Sequence, residues 1–218
     1  MMEKSTKTIE IKPLHLDTEV LTDLEGAVYT YRIKEQEKTE IVLGYSSRPQ
    51  EELKIQNILK DGIEVYKRKG GGCGVVLLKG MIIISIGYKT RMYPGITEAM
   101  LLINKNIIEA LKSTGIKNVT PAGISDLAIN NKKILGCSLY RGKEFSIYQG
   151  SLIVDADLSL VERYLKHPPR EPNYRMGRKH SNFLTTILKE HKSIDKDLLI
   201  KNLKKQLTKP FWIESIVH

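Results

Sequence analysis

The sequence predicts an α+β fold: a mainly antiparallel β-sheet with flanking helices. Three observations predict it. Apolar runs of strand length recur along the chain, among them Glu40-Ile41-Val42-Leu43-Gly44, Met81 to Ile86 and Phe145 to Val154. Several are joined by turn residues too few to hold a helix, as at Lys79-Gly80 and Asn130-Asn131-Lys132. One long amphipathic segment, Thr97 to Ser113, closes at Gly115 and reads as a helix. The 218 residues suit one large domain, here taken to span 1–218.

In chain order, residues 18–34 read as a helix, because Thr18-Glu19 open it and Val20, Leu21, Leu24, Val28 and Tyr31 recur at helical spacing. The strand at 40–44 follows. Arg48-Pro49 marks a loop, and Glu51 to Leu59 a short helix ended by Asp61-Gly62. Ile63 to Tyr66 alternates as a strand and runs into Lys67-Arg68-Lys69-Gly70-Gly71-Gly72-Cys73-Gly74. Strands at 75–78 and 81–86 precede the long helix. Val119 starts a short strand before the loop Pro121 to Ser125, and 126–129 pairs with 133–139 as a hairpin. After the strand at 145–154, Asp157 to Lys166 reads as a short helix. Three prolines within 168–172 force an extended segment. Residues 182–190 and 195–206 read as helices.

Composition narrows the function classes. Apolar residues at 41% and charged residues at 28% exclude wholesale disorder. At this length about 70% of the unfolded chain's surface can be buried, so neither metal nor disulfide is needed to hold the fold. Two cysteines cannot form a disulfide framework and suggest a reducing compartment. No apolar run reaches the length of a membrane span, and the N-terminal residues lack the apolar core of a signal peptide. The cytoplasm is therefore the expected location. The formal charge is +10, and residues 163–210 hold 13 Lys/Arg against 4 Asp/Glu, so nearly all of the excess lies in this basic, largely helical part. Such polarity fits an anionic partner, nucleic acid or acidic protein, or simply a solvated lysine-rich face.

Four sites could carry chemistry. Three successive glycines at 70–72 forfeit roughly 1 kcal/mol each in backbone entropy, so the run serves either a sharp bend or a close backbone approach to an anion beside Lys67, Arg68 and Lys69. No Gly-Lys-Ser/Thr follows, so it is not a P-loop. In Asp126 to Gly136, Lys132 or Lys133 could reach across a sheet to polarise an acyl phosphate; chemistry alone does not choose between them. Cys73, in a cationic loop, and Cys137, in a strand, are the nucleophile candidates. Tyr174 to His180 is dense in cations and could clamp a phosphate or dock an acidic partner. The five histidines show no metal-ligand spacing.

Together these pieces resemble, in order and over about residues 18–205, the lipoate–protein ligase and octanoyltransferase family, whose catalytic domain is related to class II biotin–protein ligases. Asp61-Gly62 through Gly72 resembles the family's "R-R-x-S-G-G-G" signature, with Lys67 and Arg68 on the paired arginines. Gly123-Ile124-Ser125-Asp126 through Lys133-Ile134-Leu135-Gly136-Cys137-Ser138 resembles "G-x-N-D … n-g-x-K-i-x-G-x-S", which places the essential lysine on Lys133. Tyr148-Gln149-Gly150-Ser151-Leu152 resembles "H-H-G-[ST]-L". The resemblance implies activation of lipoate or octanoate by ATP as an acyl-adenylate, then transfer to a lysine of an acidic lipoyl-domain acceptor. Lys133 would be catalytic, holding carboxyl and α-phosphate oxygens. Arg68 would face phosphate, with Gly70, Gly71, Gly72 and Cys73 close to the acyl-adenylate. Ser125 and Asp126 would lie by the nucleotide and its magnesium, and Val75 and Val76 would line the acyl tunnel. Gly136, Ser138, Gly150 and Ser151 complete the binding set.

This sequence departs from the pattern in places. Cys73-Gly74-Val75-Val76-Leu77 stands for "A-V-Y-H-D", Ser125 for the asparagine and Gln149 for a histidine. The loop 120–125 lacks the cysteine that the thioester-forming transferases carry there, which favours a ligase. About 12 residues follow the last helix, so the accessory domain of many ligases is expected on a separate chain or not at all. The alternatives are an octanoyl or lipoyl acyltransferase between carrier proteins without ATP, and a non-catalytic binding module of the same fold. No nucleic-acid motif accompanies the basic region, and neither nucleic acid nor membrane is an expected partner.

Overall fold

The computed structural model describes residues 8–93 and 95–212. Two β-sheets form its framework. The larger has six strands in the order β2-β6-β10-β9-β8-β7, all antiparallel: β2 Tyr29–Glu35, β6 Met81–Lys89, β7 Thr120–Ala122, β8 Asp126–Ile129, β9 Lys132–Arg141 and β10 Phe145–Ile153. The smaller has the order β1-β4-β3-β5: β1 Ile11–Pro13, β3 Glu40–Leu43, β4 Glu64–Lys67 and β5 Val75–Leu77. Here β1 and β3 run parallel to β4, and β5 is antiparallel to β3.

Strand alternation divides the interior in two. On β6, Ile82, Ile84, Ile86 and Tyr88 point to one face of the large sheet, where α4 (Ile96–Ser113) and α8 (Lys196–Leu207) cover them with Ile103, Ile107, Leu111, Leu199, Leu203 and Leu207. Phe211 and Trp212 close this cluster beside Tyr88. Met81 and Ile83 point the other way. With Ile153 they join Ile41, Leu43, Val65 and Val76 of the small sheet in a second buried cluster. Further helices connect and flank the sheets: α1 His15–Asp23, α2 Pro49–Glu52, α3 Ile55–Asp61, α5 Ser159–Tyr164, α6 His180–Phe183 and α7 Ile187–His191.

Four sequence expectations need correction. The helix expected over 51–59 is two, α2 and α3, because Leu53 is extended and bridges to Leu165. The helix expected over 18–34 ends at Asp23; Gly26 turns the chain with φ +74° and Tyr29-Thr30-Tyr31-Arg32-Ile33, rich in β-formers, pairs with β6. The helix expected over 182–190 is two short ones, because Leu184 bridges to Lys133 and the Thr185 N–H donates to the Lys133 carbonyl. The adjoining strands 75–78 and 81–86 belong to different sheets rather than to one.

Candidate functional site

A cleft of about 800 Å³ opens between the two sheets. One part is apolar, with Leu14, Leu16, Val42, Val75, Val76, Met81 and Ile83. The other is polar and holds Ser125, Asp126, Lys133, Tyr174 and Arg175. The same cleft brings together Arg68, Gly72, Cys73, Gly136, Ser138, Gly150 and Ser151. Gly70 sits behind it, where an added Cβ would stand 2.8 Å from the Ser138 Oγ, and Gly71 faces open space.

The glycine loop is held by its carbonyls. The Gly70 carbonyl accepts from the Tyr45 N–H at 2.9 Å, and the Gly72 carbonyl lies 3.3 Å from the Ser47 hydroxyl, whose hydrogen goes to Glu52. The Arg68 guanidinium donates to the Gly71 carbonyl (2.6 Å), the Cys73 carbonyl (3.0 Å) and the Val42 carbonyl (3.2 Å). Two buried carboxylates fix the loop ends: Asp17 accepts the Lys69 N–H at 2.8 Å, and Glu52 accepts the Gly74 N–H. Desolvation pushes Asp17 above the usual carboxylate range, against the Lys69 N–H that favours its charge. Gly72 has φ +90°, a conformation that a side chain would strain. With their carbonyls engaged, the N–H groups of Gly70, Gly71, Gly72 and Cys73 donate to no acceptor among the described residues. Successive N–H groups left free in a glycine loop are the kind of donors that an anion can use. Arg68 itself is only 7% exposed and lines the cleft, and its guanidinium donates to the loop's backbone carbonyls, so it braces the loop.

Lys133 is aimed by a β-bulge. In a regular strand residues 133 and 136 would point to opposite faces. Between β8 and β9, however, Leu127 pairs with Leu135 and Ala128 with Lys133, so Ile134 is an extra residue and both Ile134 and Leu135 are buried. The bulge re-aims the lysine. Its side chain lies back across Gly136, where a Cβ would collide with Nζ. The Nζ sits 2.9 Å from the Asp126 Oδ1, and the Asp126 Oδ2 accepts from the Tyr174 hydroxyl at 2.7 Å. Burial and the Asp126 charge push the Tyr174 phenol well above its usual range, so it remains a donor at neutral pH. Ser125 lies against the same carboxylate, 3.3 Å from Oδ1. The Asp126 carboxylate thus meets Lys133, Tyr174 and Ser125, which leaves acceptor capacity that a magnesium carried by a nucleotide could use, and the described residues hold no cluster of three or more His, Cys, Asp or Glu placed for a metal.

Both cysteines reach the cleft, in different settings. Cys137 also packs against the helix-side cluster near Asn104, and burial pushes its thiol up to about 12. Cys73 lines the cleft, its Sγ 3.5 Å from the Arg170 carbonyl. Sequence reasoning missed Asp17 and Glu52, which show no local signal, and the bond from Tyr174 to Asp126, which joins residues 48 positions apart.

The family model described as "Lipoyl protein ligase A/B catalytic domain" matches residues 12–211. A Mycoplasma genitalium protein named "Probable lipoate-protein ligase A" is 30% identical over 125 residues, which is 57% of this chain and 37% of that protein. "Octanoyltransferase LipM" of Carboxydothermus hydrogenoformans is 26% identical over 152 residues, 62% of this chain and 56% of that protein. The match thus spans only a third to a little over half of the length of these relatives. Among solved structures, a lipoate-protein ligase A bound with ATP superposes with a TM-score of 0.73 at 16% identity, covering 96% of this chain and 86% of that one. A bipartite lipoate protein ligase from Thermoplasma acidophilum, solved with its E2 lipoyl domain, gives 0.68 at 18% identity over 92% and 82%. No helix of the described residues is long and apolar enough to cross a membrane. Matched over most of its length, and folded like these ligases, the chain belongs to the lipoyl protein ligase A/B catalytic-domain family.

Proposed function

We propose that the chain is a lipoate–protein ligase-type enzyme that activates lipoate or octanoate with ATP and passes the acyl group to a lysine of an acidic lipoyl-domain acceptor. In the first step a carboxylate oxygen attacks the α-phosphorus and pyrophosphate leaves. In the second the acceptor amine attacks the acyl carbon, AMP leaves and the amine proton passes to solvent. The observation that carries this reading is the glycine loop, whose Gly72 and Cys73 line the same cleft as the Lys133 ammonium with their N–H groups unspent among the described residues. Preorganised donors of this kind stabilise the phosphate charge that develops when pyrophosphate departs. Asp126 and Tyr174 hold Lys133 in place. The apolar part of the cleft suits an eight-carbon chain, whose burial supplies about 0.8 kcal/mol per CH₂. The test is lipoate-dependent ATP–pyrophosphate exchange. Wild type should exchange, and Lys133→Ala should lose roughly 100-fold or more, the size of effect seen when one charge-stabilising donor is removed.

One observation favours a second reading, acyl transfer between carriers without ATP. Cys73 lines the cleft, and a relative at 26% identity is named an octanoyltransferase. Transfer from an octanoylated carrier without nucleotide, stopped by Cys73→Ser, would replace the ligase reading. Lipoate bound without either reaction would leave a binding module.

A further inference from the structure

Arg68 spends much of its guanidinium on the glycine loop, and Arg175 is a second buried guanidinium that lines the same cleft. We propose that Arg175 is the residue that grips a nucleotide phosphate in this cleft, an inference that rests on the ATP-dependent reading above. Arg175 is only 4% exposed and lines the cleft. Its Nε is held by the Arg178 carbonyl at 3.0 Å and lies 3.3 Å from the Glu171 carboxylate. Its plane lies 4.8 Å from the centre of the Phe183 ring. One edge and one face of the fork are thus fixed. Neither terminal nitrogen donates to any described residue, and Nη2 is a buried donor without a partner.

A buried charged donor left unmade is costly, and this one belongs to a side chain that lines the cleft, so a ligand acceptor that draws the fork toward the cleft would satisfy it. A guanidinium fork matches the oxygens of a phosphate better than a point-charge ammonium can. Other charges nearby do not satisfy it. Glu171 is shared with the Gly177 N–H and His167, and Arg178 spends its own donors on the carbonyls of Tyr174, Asn131 and Arg175. Position supports the role too: the preceding residue, Tyr174, bonds the Asp126 that pairs with Lys133.

Isothermal titration of wild type, Arg175→Gln and Arg175→Lys with ATP and, separately, with lipoate tests this. The expected result is ATP affinity weakened roughly 10- to 100-fold in Arg175→Gln, the worth of a charged hydrogen bond, with lipoate affinity within about twofold of wild type. Arg175→Lys keeps the charge and loses the fork, so it should recover only part of the ATP affinity; it also serves if the glutamine variant folds poorly. Unchanged ATP affinity in both variants overturns the role of Arg175 alone. Equal loss of ATP and lipoate binding, with a lowered melting temperature, makes Arg175 structural and overturns it as well. A wild type that binds lipoate and no ATP removes the ligase reading and this inference with it.

Discussion

The spacing of Lys133 and Gly136 makes sense only with the bulge. Three positions apart, the two residues would face opposite sides of a flat strand; Ile134 takes up the extra step and lets the lysine lie over the glycine toward Asp126. Gly136→Ala should therefore act on the lysine and not on the fold. A Cβ there meets only the mobile end of a side chain, so stability should change by less than about 1 kcal/mol. The displaced amine should lower exchange activity by about 100-fold, as misplacements near 1 Å do. Thermal melting and exchange rates measured on the same preparation check both halves. A large loss of stability, or full activity, would contradict this account of the glycine.

Among the elements, the glycine loop depends on braces from distant parts of the chain. Glu52, at the end of α2, accepts the Gly74 N–H, the Ser47 hydroxyl and the Arg48 N–H. Glu52→Ala would strand these donors, each unmade buried bond costing about 1–3 kcal/mol. A melting temperature lower by several degrees is expected, since 1 kcal/mol shifts a chain of this size by about 2–4 °C. ATP affinity should fall with it as the loop N–H groups lose their alignment, whereas Glu52→Gln keeps an acceptor and should lose less of both. Calorimetry and nucleotide titration read the two effects. Such braces were not legible in the sequence. The loop was, through its glycines, and so were the hairpin around Asn130-Asn131, both at positive φ, and the helix α4. What local pattern could not show was partnership. β5 and β6 look alike as apolar runs, yet β5 pairs with β3 and β6 with β2 and β10. β2 was misread because Val28 and Tyr31 continue the helical spacing of α1 across Gly26. The bracing role of Arg68 was not legible either, because its partners include Val42, 26 residues away.

For the whole molecule, the +10 charge divides between two places. Residues 163–180 run along the cleft, where Arg170 and Arg175 line it and Arg170 reaches Ser46. The lysines of α8 do not share that side: Leu199, Leu203 and Leu207 pack with α4 on the opposite face of the large sheet. Lys201, Lys204 and Lys205 are exposed there. The helix diameter alone, about 10 Å, exceeds the Debye length of about 8 Å at physiological salt, so these charges are screened from the cleft mouth. Only the cleft-side cations are then placed to steer the acidic acceptor of the proposed reaction. Changing Lys201, Lys204 and Lys205 to Glu should leave the rate of acyl transfer to the lipoyl domain, and its dependence on salt, within about twofold of wild type. Arg170→Glu, on the exposed rim of the cleft, should slow transfer several-fold at low ionic strength and flatten the salt dependence. Transfer rates measured from about 20 to 300 mM salt decide the matter. A strong effect of the α8 changes would mean that the acceptor approaches from the helical side, and that the charge there is part of the recognition surface after all.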